Sequence, residues 1–169
     1  NADPITATAV QTFTSNPTST GAWATLASSG IIYAATGMVC SSDGSRIFLT
    51  AGDSNPSSQY LISSNYGASW TNTAPSTYHP YGPAMSGNGQ YLYTSASNDG
   101  GWWTGYYSTN YGSSWSTTVS TPSGNPIAAF NSTGSILYRV DGGGVKKSTD
   151  FGGSFGSSLR TPGAACLSI

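Results

Sequence analysis

Short runs of alternating apolar and polar residues fill most of the chain, and Gly, Asn, Asp, Ser and Pro punctuate them. The runs at 46–51 (RIFLTA), 90–95 (QYLYTS) and 135–140 (SILYRV) are aromatic and β-branched and of strand length. Asp43-Gly44, Asn88-Gly89 and Thr133-Gly134 precede them, and glycine there accepts the positive φ of a tight hairpin. In the first full unit the pattern predicts four strands, over 37–41, 46–51, 59–64 and 69–73. No helical period recurs, and no apolar run approaches the ~18 residues of a membrane span. The expected class is all-β.

The pattern repeats. Ser63-Ser-Asn65-Tyr-Gly67-Ala-Ser-Trp70, Ser108-Thr-Asn110-Tyr-Gly112-Ser-Ser-Trp115 and Ser148-Thr-Asp150-Phe-Gly152-Gly-Ser-Phe155 align, with closing aromatics 45 and 40 residues apart. A degenerate copy closes at Trp23, 47 residues before Trp70. The turn glycines 44, 89 and 134 keep a spacing of 45, and an aspartate follows each second strand: Asp53, Asp99 and Asp141. Four antiparallel strands repeating every ~40–45 residues predict the blades of a β-propeller. The units fall at about 30–75, 76–117 and 118–157, with 158–169 and 1–29 left to make a fourth.

These boxes resemble the Asp-box, or BNR, repeat, Ser-x-Asp-x-Gly-x-Thr-Trp, of sialidases, sortilin-type receptors and photosystem assembly propellers. Two boxes carry Asn65 and Asn110 where that family has Asp, and the third ends in Phe155 in place of Trp. The resemblance implies a structural turn. A short side-chain oxygen accepts backbone N–H groups, glycine takes the left-handed backbone, and the aromatic packs between blades. It does not imply sialidase chemistry, which needs an arginine cluster and a tyrosine nucleophile assisted by a glutamate. The chain has no Glu, and its arginines are Arg46, Arg139 and Arg160. Arg46 and Arg139 lie in second strands, where they face solvent or brace a neighbouring blade.

Register suggests how the ring closes. Cys40, Met85 and Phe130 each precede a turn glycine by four, and the tail 161–166 aligns with 125–130, which puts Cys166 at the same place in a fourth unit. The fourth blade then takes its first strand from the C-terminus and its later strands from the N-terminus, which removes open sheet edges. Cys40 and Cys166 would lie on adjacent inner strands, within reach of a disulfide. Residues 5–15 contain no Gly, Asn, Asp or Pro and read as one long strand, so the fourth blade could be a strand short. Two rival closures stay open: the C-terminal strand complements a neighbouring subunit, or the chain is a piece of a larger propeller.

Composition narrows the function. Charged residues are 7% and the net charge is −1, while Ser and Thr supply 51 of 169 residues. Five dispersed Lys and Arg cannot form the cationic face of a nucleic-acid binder. The low-charge, hydroxyl-rich composition is that of secreted or cell-surface β proteins, and Asn131-Ser132-Thr133 is a glycosylation sequon. Six aspartates, mostly in turns, offer no obvious pair for glycoside hydrolysis. His79 has no nucleophile motif beside it and reads as a loop histidine, and with two separated cysteines it makes no zinc site. Asp53, Asp99 and Asp141 could ring one face and bind Ca²⁺, but hairpin turn chemistry accounts for them better. The least ordinary feature is Trp102-Trp103 with Tyr106-Tyr107, where neighbours point to opposite faces of a strand. Packing between blades explains them. A ligand surface with Tyr78, His79 and Tyr81 is the functional alternative. The resulting expectation is a non-enzymatic extracellular structural or interaction module without cofactor, such as a self-associating surface or filament subunit. A lectin for neutral glycans, or a binder of a cell-surface protein, comes second, and a degenerate glycosidase third.

Overall fold

A computed structural model describes residues 34–52, 58–98, 101–118, 124, 126–142 and 144–159. Among them there is no helix, and every strand pairing is antiparallel. The first blade runs β1 (Ala35–Cys40), β2 (Ile47–Ala51), β3 (Gln59–Ser63) and β4 (Thr71–Asn72) in spatial order. The second runs β5 (His79–Met85), β6 (Leu92–Ser97), β7 (Trp103–Ser108) and β8 (Ser116–Thr117). The third has β9 (Ile127–Phe130), β10 (Leu137–Asp141) and β11 (Gly144–Ser148). Its fourth position is held without a ladder by residues 156–159, where Gly156 N–H donates to the Lys147 carbonyl at 3.0 Å and Leu159 N–H to that of Val145 at 2.7 Å.

Side-chain alternation divides each blade between two seams. Phe48, Tyr60 and Ile62 of the first blade meet Leu92, with Met85 and Trp115 at the margin. Ala84 and Tyr93 of the second meet Phe130 and Leu137, with Tyr107 and Phe155 at the margin. Phe48, Tyr60, Leu92, Tyr93 and Leu137 are fully buried, each contributing about 1.5–3 kcal/mol. The aromatic that closes each box enters the seam with the preceding blade: Trp115 lies 5.6 Å from Phe48, and Phe155 lies edge-on 5.8 Å from Tyr93. Trp115 Nε1 donates to Thr73 Oγ1 at 3.3 Å. Phe155 has no such donor, and at that seam the Thr118 hydroxyl instead donates to the Gly153 carbonyl. The inner-strand turns are tied in series. Ser42 N–H donates to the Gly87 carbonyl and Gly87 N–H to the Ser132 carbonyl, both at 2.8 Å.

In the boxes, Ser63, Ser108 and Ser148 each accept the N–H of the glycine four residues on, at 2.8, 2.9 and 2.9 Å. Asn65, Asn110 and Asp150 each accept the N–H of the serine four residues on, at 2.9 Å. The sequence did not reveal that the residue before each glycine is itself left-handed: Tyr66, Tyr111 and Phe151 have φ of 58°, 60° and 61°. That strain is spent on contact with the preceding blade, since Arg46 lies 4.1 Å over Tyr111 and Tyr91 stacks on Phe151 at 4.2 Å. Both strand-two arginines therefore brace a neighbour. Arg139 is buried, with Nε 2.8 Å from Asp141 and Nη1 3.2 Å from the Tyr93 hydroxyl of the second blade.

Asp141 corrects an expectation. It is a buried carboxylate paired with Arg139 and, at 3.5 Å, with Lys146, which the turn-based reading of this position did not foresee. Asp53 and Asp99, the box at Trp23, the long run 5–15, Arg160 and the fourth unit lie outside the described residues. So does Cys166, the expected partner of Cys40, which is exposed at the end of β1 and has no disulfide to any described residue.

The third box alone has an ionisable acceptor. Burial pushes the Asp150 carboxyl up, but hydrogen bonds from Ser154 and Ser148 outweigh it and leave the pKa lowered. At the first inner turn, hydrogen bonds from Ser41 and Ser45 hold Asp43 down, from 3.8 to about 2. A carboxylate with a depressed folded pKa stabilises the fold above its unfolded pKa and loses that contribution as pH falls through the folded value. Urea midpoints are therefore expected to hold from pH 7 to about 4 and to drop between about 4 and 2. Asp150→Asn, which copies Asn65 and Asn110, should make that drop shallower.

Candidate functional site

Residues directly opposite on neighbouring strands share a face. In the second blade Tyr93 pairs Tyr107, Ser95 pairs Gly105 and Tyr81, and Ser97 pairs Trp103 and His79. Tyr93 faces the third blade, so His79, Tyr81 and Trp103 continue the same face toward the hairpin end. The third blade is still paired beside Tyr81 and stops one pair short of Ser97 and Trp103. Its β10–β11 pairing ends at Asp141 opposite Gly144, whereas the second blade's connection runs from Asn98 to Trp102 before β7 begins. The same shortening shows in the sequence, where turn glycine and box aromatic are 26, 26 and 21 residues apart. The second blade thus stands above its neighbour, with an aromatic wall facing the step.

On this wall Tyr81 and Trp103 lie 5.2 Å apart at 52°, and His79 stacks with Tyr81 at 6.5 Å and 13°. All three are half-buried, which fixes them while leaving ring area open. Trp102 is 77% exposed at the end of its connection, which closes through Trp102 N–H to Asn98 Oδ1 at 2.9 Å and Asn98 N–H to the Trp102 carbonyl at 3.1 Å. Tyr78 is exposed at the rim, and its carbonyl accepts the buried Tyr60 hydroxyl at 3.0 Å. Burial pushes that phenol's pKa up, so it remains a donor. The expected aromatic surface is therefore divided. His79, Tyr81 and Trp103 come together with Trp102 and Tyr78 near them, Tyr107 turns into the seam, and Tyr106 takes the opposite face of β7.

Along β10, Arg139 and then Asp141 face the second blade below this wall. Arg139 Nε and Lys146 Nζ each engage one of the Asp141 carboxylate oxygens. Asp43 and Asp150 stand in turns at the opposite end. Among the described residues no cluster of His, Cys, Asp or Glu could hold a metal, and no helix is long and apolar enough to cross a membrane. Asn131 caps its own turn, with Oδ1 accepting Ile136 N–H at 3.0 Å and Nδ2 donating to Ser135 Oγ at 3.0 Å.

Successive antiparallel blades with adjoining inner strands define a β-propeller architecture, and solved structures agree. A GH74 enzyme from Niastella koreensis is 28% identical with a TM-score of 0.60, over 76% of this chain and 18% of that one. The GH74 xyloglucanase of Xanthomonas campestris gives 17% and 0.52, over 75% and 19%. YCF48 bound to D1 peptide gives 14% and 0.55, over 73% and 39%. The last two speak for the fold alone. The chain spans less than a fifth of either GH74 enzyme. No protein-family model and no curated protein matches it.

The GH74 likeness overturns the expectation of a purely non-enzymatic module. That expectation weighed this chain's residues alone against a sialidase set, a glycosidase carboxylate pair, a Ser–His–Asp triad and a zinc site. In a propeller each blade contributes only its connecting loops to the reactive face, so a short stretch of blades need not carry a complete catalytic set.

Proposed function

We propose that this chain belongs to an enzyme-like propeller acting on neutral polysaccharide, and that the glycan lies against the His79–Tyr81–Trp103 wall. The wall itself carries the reading: a fixed aromatic face opened by the shortened hairpin beside it. Pyranose rings present apolar C–H faces to aromatic side chains and hydroxyls to their polar tips. The likeness to a GH74 enzyme at 28% identity supports an enzyme-like propeller. Affinity electrophoresis and reducing-sugar release on xyloglucan and other β-glucans test this. The native chain should be retarded and should release sugar. Trp103→Ala and Tyr81→Ala should lose retardation. Neither retention nor release on any neutral glycan would sink the proposal.

The box turns support blades of the Asp-box type, since the Ser, Asn or Asp, and Gly positions make the same bonds in all three. The finer architecture we propose is a four-bladed ring completed by the chain's own ends, in a secreted protein glycosylated at Asn131. Mass loss on N-glycosidase treatment checks the modification.

A further inference from the structure

The second and third boxes present the same turn to the blade before them, but they meet different side chains there. Beside the third box stand Tyr91 and Tyr107 of the second blade. Tyr91 stacks on Phe151 at 4.2 Å, and the Tyr107 hydroxyl lies 3.3 Å from the place a Cβ on Gly153 would take. Two aromatic rings thus occupy that seam. One repeat earlier the same three places hold Arg46, Ile62 and Ser113. Ile62 is shorter than a tyrosine, and a cleft of about 570 Å³ opens beside the second box. Small-molecule sites run from about 300 to 1,000 Å³. The cleft lies at the box end of the blades, opposite the aromatic wall.

Its lining is rich in donors and holds one cation. Arg46 is half-buried, with its guanidinium 4.1 Å over the Tyr111 ring, which holds it in place. Among the described residues no carboxylate or other acceptor bonds that guanidinium, and no acidic side chain lines the cleft. Asn72 lines the facing wall. Its Oδ1 accepts the Tyr60 and Ala74 N–H groups, both at 3.2 Å, which leaves Nδ2 as a donor. The hydroxyls of Ser64, Thr71 and Ser113 line the rim and bond no described residue.

We propose that this cleft binds an acidic saccharide, with a uronate carboxylate on Arg46 and the sugar hydroxyls on Asn72 and the rim hydroxyls. A guanidinium fork matches a carboxylate with two parallel N–H···O bonds. A single cation balances the one charge of a carboxylate and not the two of a phosphate dianion. Hydroxyls and an amide both donate and accept, which is what ring hydroxyls require. The site is particular to this seam, because Tyr91 stands where the next seam would need the arginine.

Calorimetric titration of the full chain with glucuronate, glucose, acetate and inorganic phosphate tests the cleft. Glucuronate should bind, and each of the other three should bind roughly tenfold more weakly or not at all, since each lacks the carboxylate, the hydroxyls or the matching charge. Arg46→Gln should weaken glucuronate about tenfold. Ser113→Asp, at an exposed position, sets a competing carboxylate in the cleft while keeping Arg46, and should weaken it as much. No heat with glucuronate would overturn the site. Glucose bound as tightly would remove the role of Arg46, and acetate or phosphate bound as tightly would remove the sugar; either overturns the proposal. Glucuronate binding untouched by Ser113→Asp would place the anion elsewhere and overturn the assignment.

Discussion

Asp141→Asn is expected to lower the unfolding free energy by about 3–5 kcal/mol, the cost of stranding a buried charge. Arg139 is fully buried between the second and third blades, with its guanidinium 4.0 Å over the Phe155 ring and hydrogen-bonded to Tyr93. Asp141 is its carboxylate partner at 2.8 Å. The substitution keeps the shape of the side chain and removes the charge. Lys146 is partly exposed and can turn to water, but Arg139 cannot. Urea unfolding followed by tryptophan fluorescence gives the number. The partner experiment is Arg139→Met with Asp141→Leu. Removing both charges removes the desolvation penalty, so the double variant should recover most of the loss. A double variant no more stable than Asp141→Asn would show that the pair stabilises through geometry rather than charge compensation.

Gly82→Ala is expected to cost about 2–5 kcal/mol, from overpacking of about 1–3 and left-handed strain of about 1–2. Gly82 has φ +56° in the irregular stretch of β5 between Tyr81 and Ala84, and a Cβ there would collide with the Pro126 carbonyl oxygen. That oxygen belongs to backbone leading into β9, so no rotamer change relieves the clash. The inner strands of the second and third blades must separate, and Tyr81 moves with them. Polysaccharide retardation should therefore weaken at temperatures where the variant is still folded. Gly44→Ala, at a positive-φ turn with open space around its Cβ, is the control: it carries the strain without the clash and should cost about 1–2 kcal/mol. Equal losses in the two variants would mean that the close approach at Gly82 contributes nothing.

Much of the fold could be read before any coordinates. The predicted strand at 46–51 became β2 at Ile47–Ala51, and that at 59–64 became β3 at Gln59–Ser63, because period-two alternation and Gly-containing turns are local signals. The site was only partly readable. Aromatic pairs at Trp102-Trp103 and Tyr106-Tyr107 announce an unusual strand, but pleat alone does not say which ring meets a neighbour. Tyr107 packs in the seam because the third blade still stands beside it there, and Trp103 is open because that blade has ended. The spacing of 21 in place of 26 held that information, but where the missing residues fell became visible only from the pairing of Asp141 with Gly144.

By itself the sequence determined the all-β class, the blade period, the turns and the box positions, since each depends on residues close together in the chain. The tertiary structure decided that Arg139 and Asp141 form a buried pair, that Tyr111 and Phe151 reach across seams, and that His79, Tyr81 and Trp103 share one open wall. Those facts depend on what the adjacent blade presents some 45 residues away, and burial, charge pairing and exposure are properties of that juxtaposition.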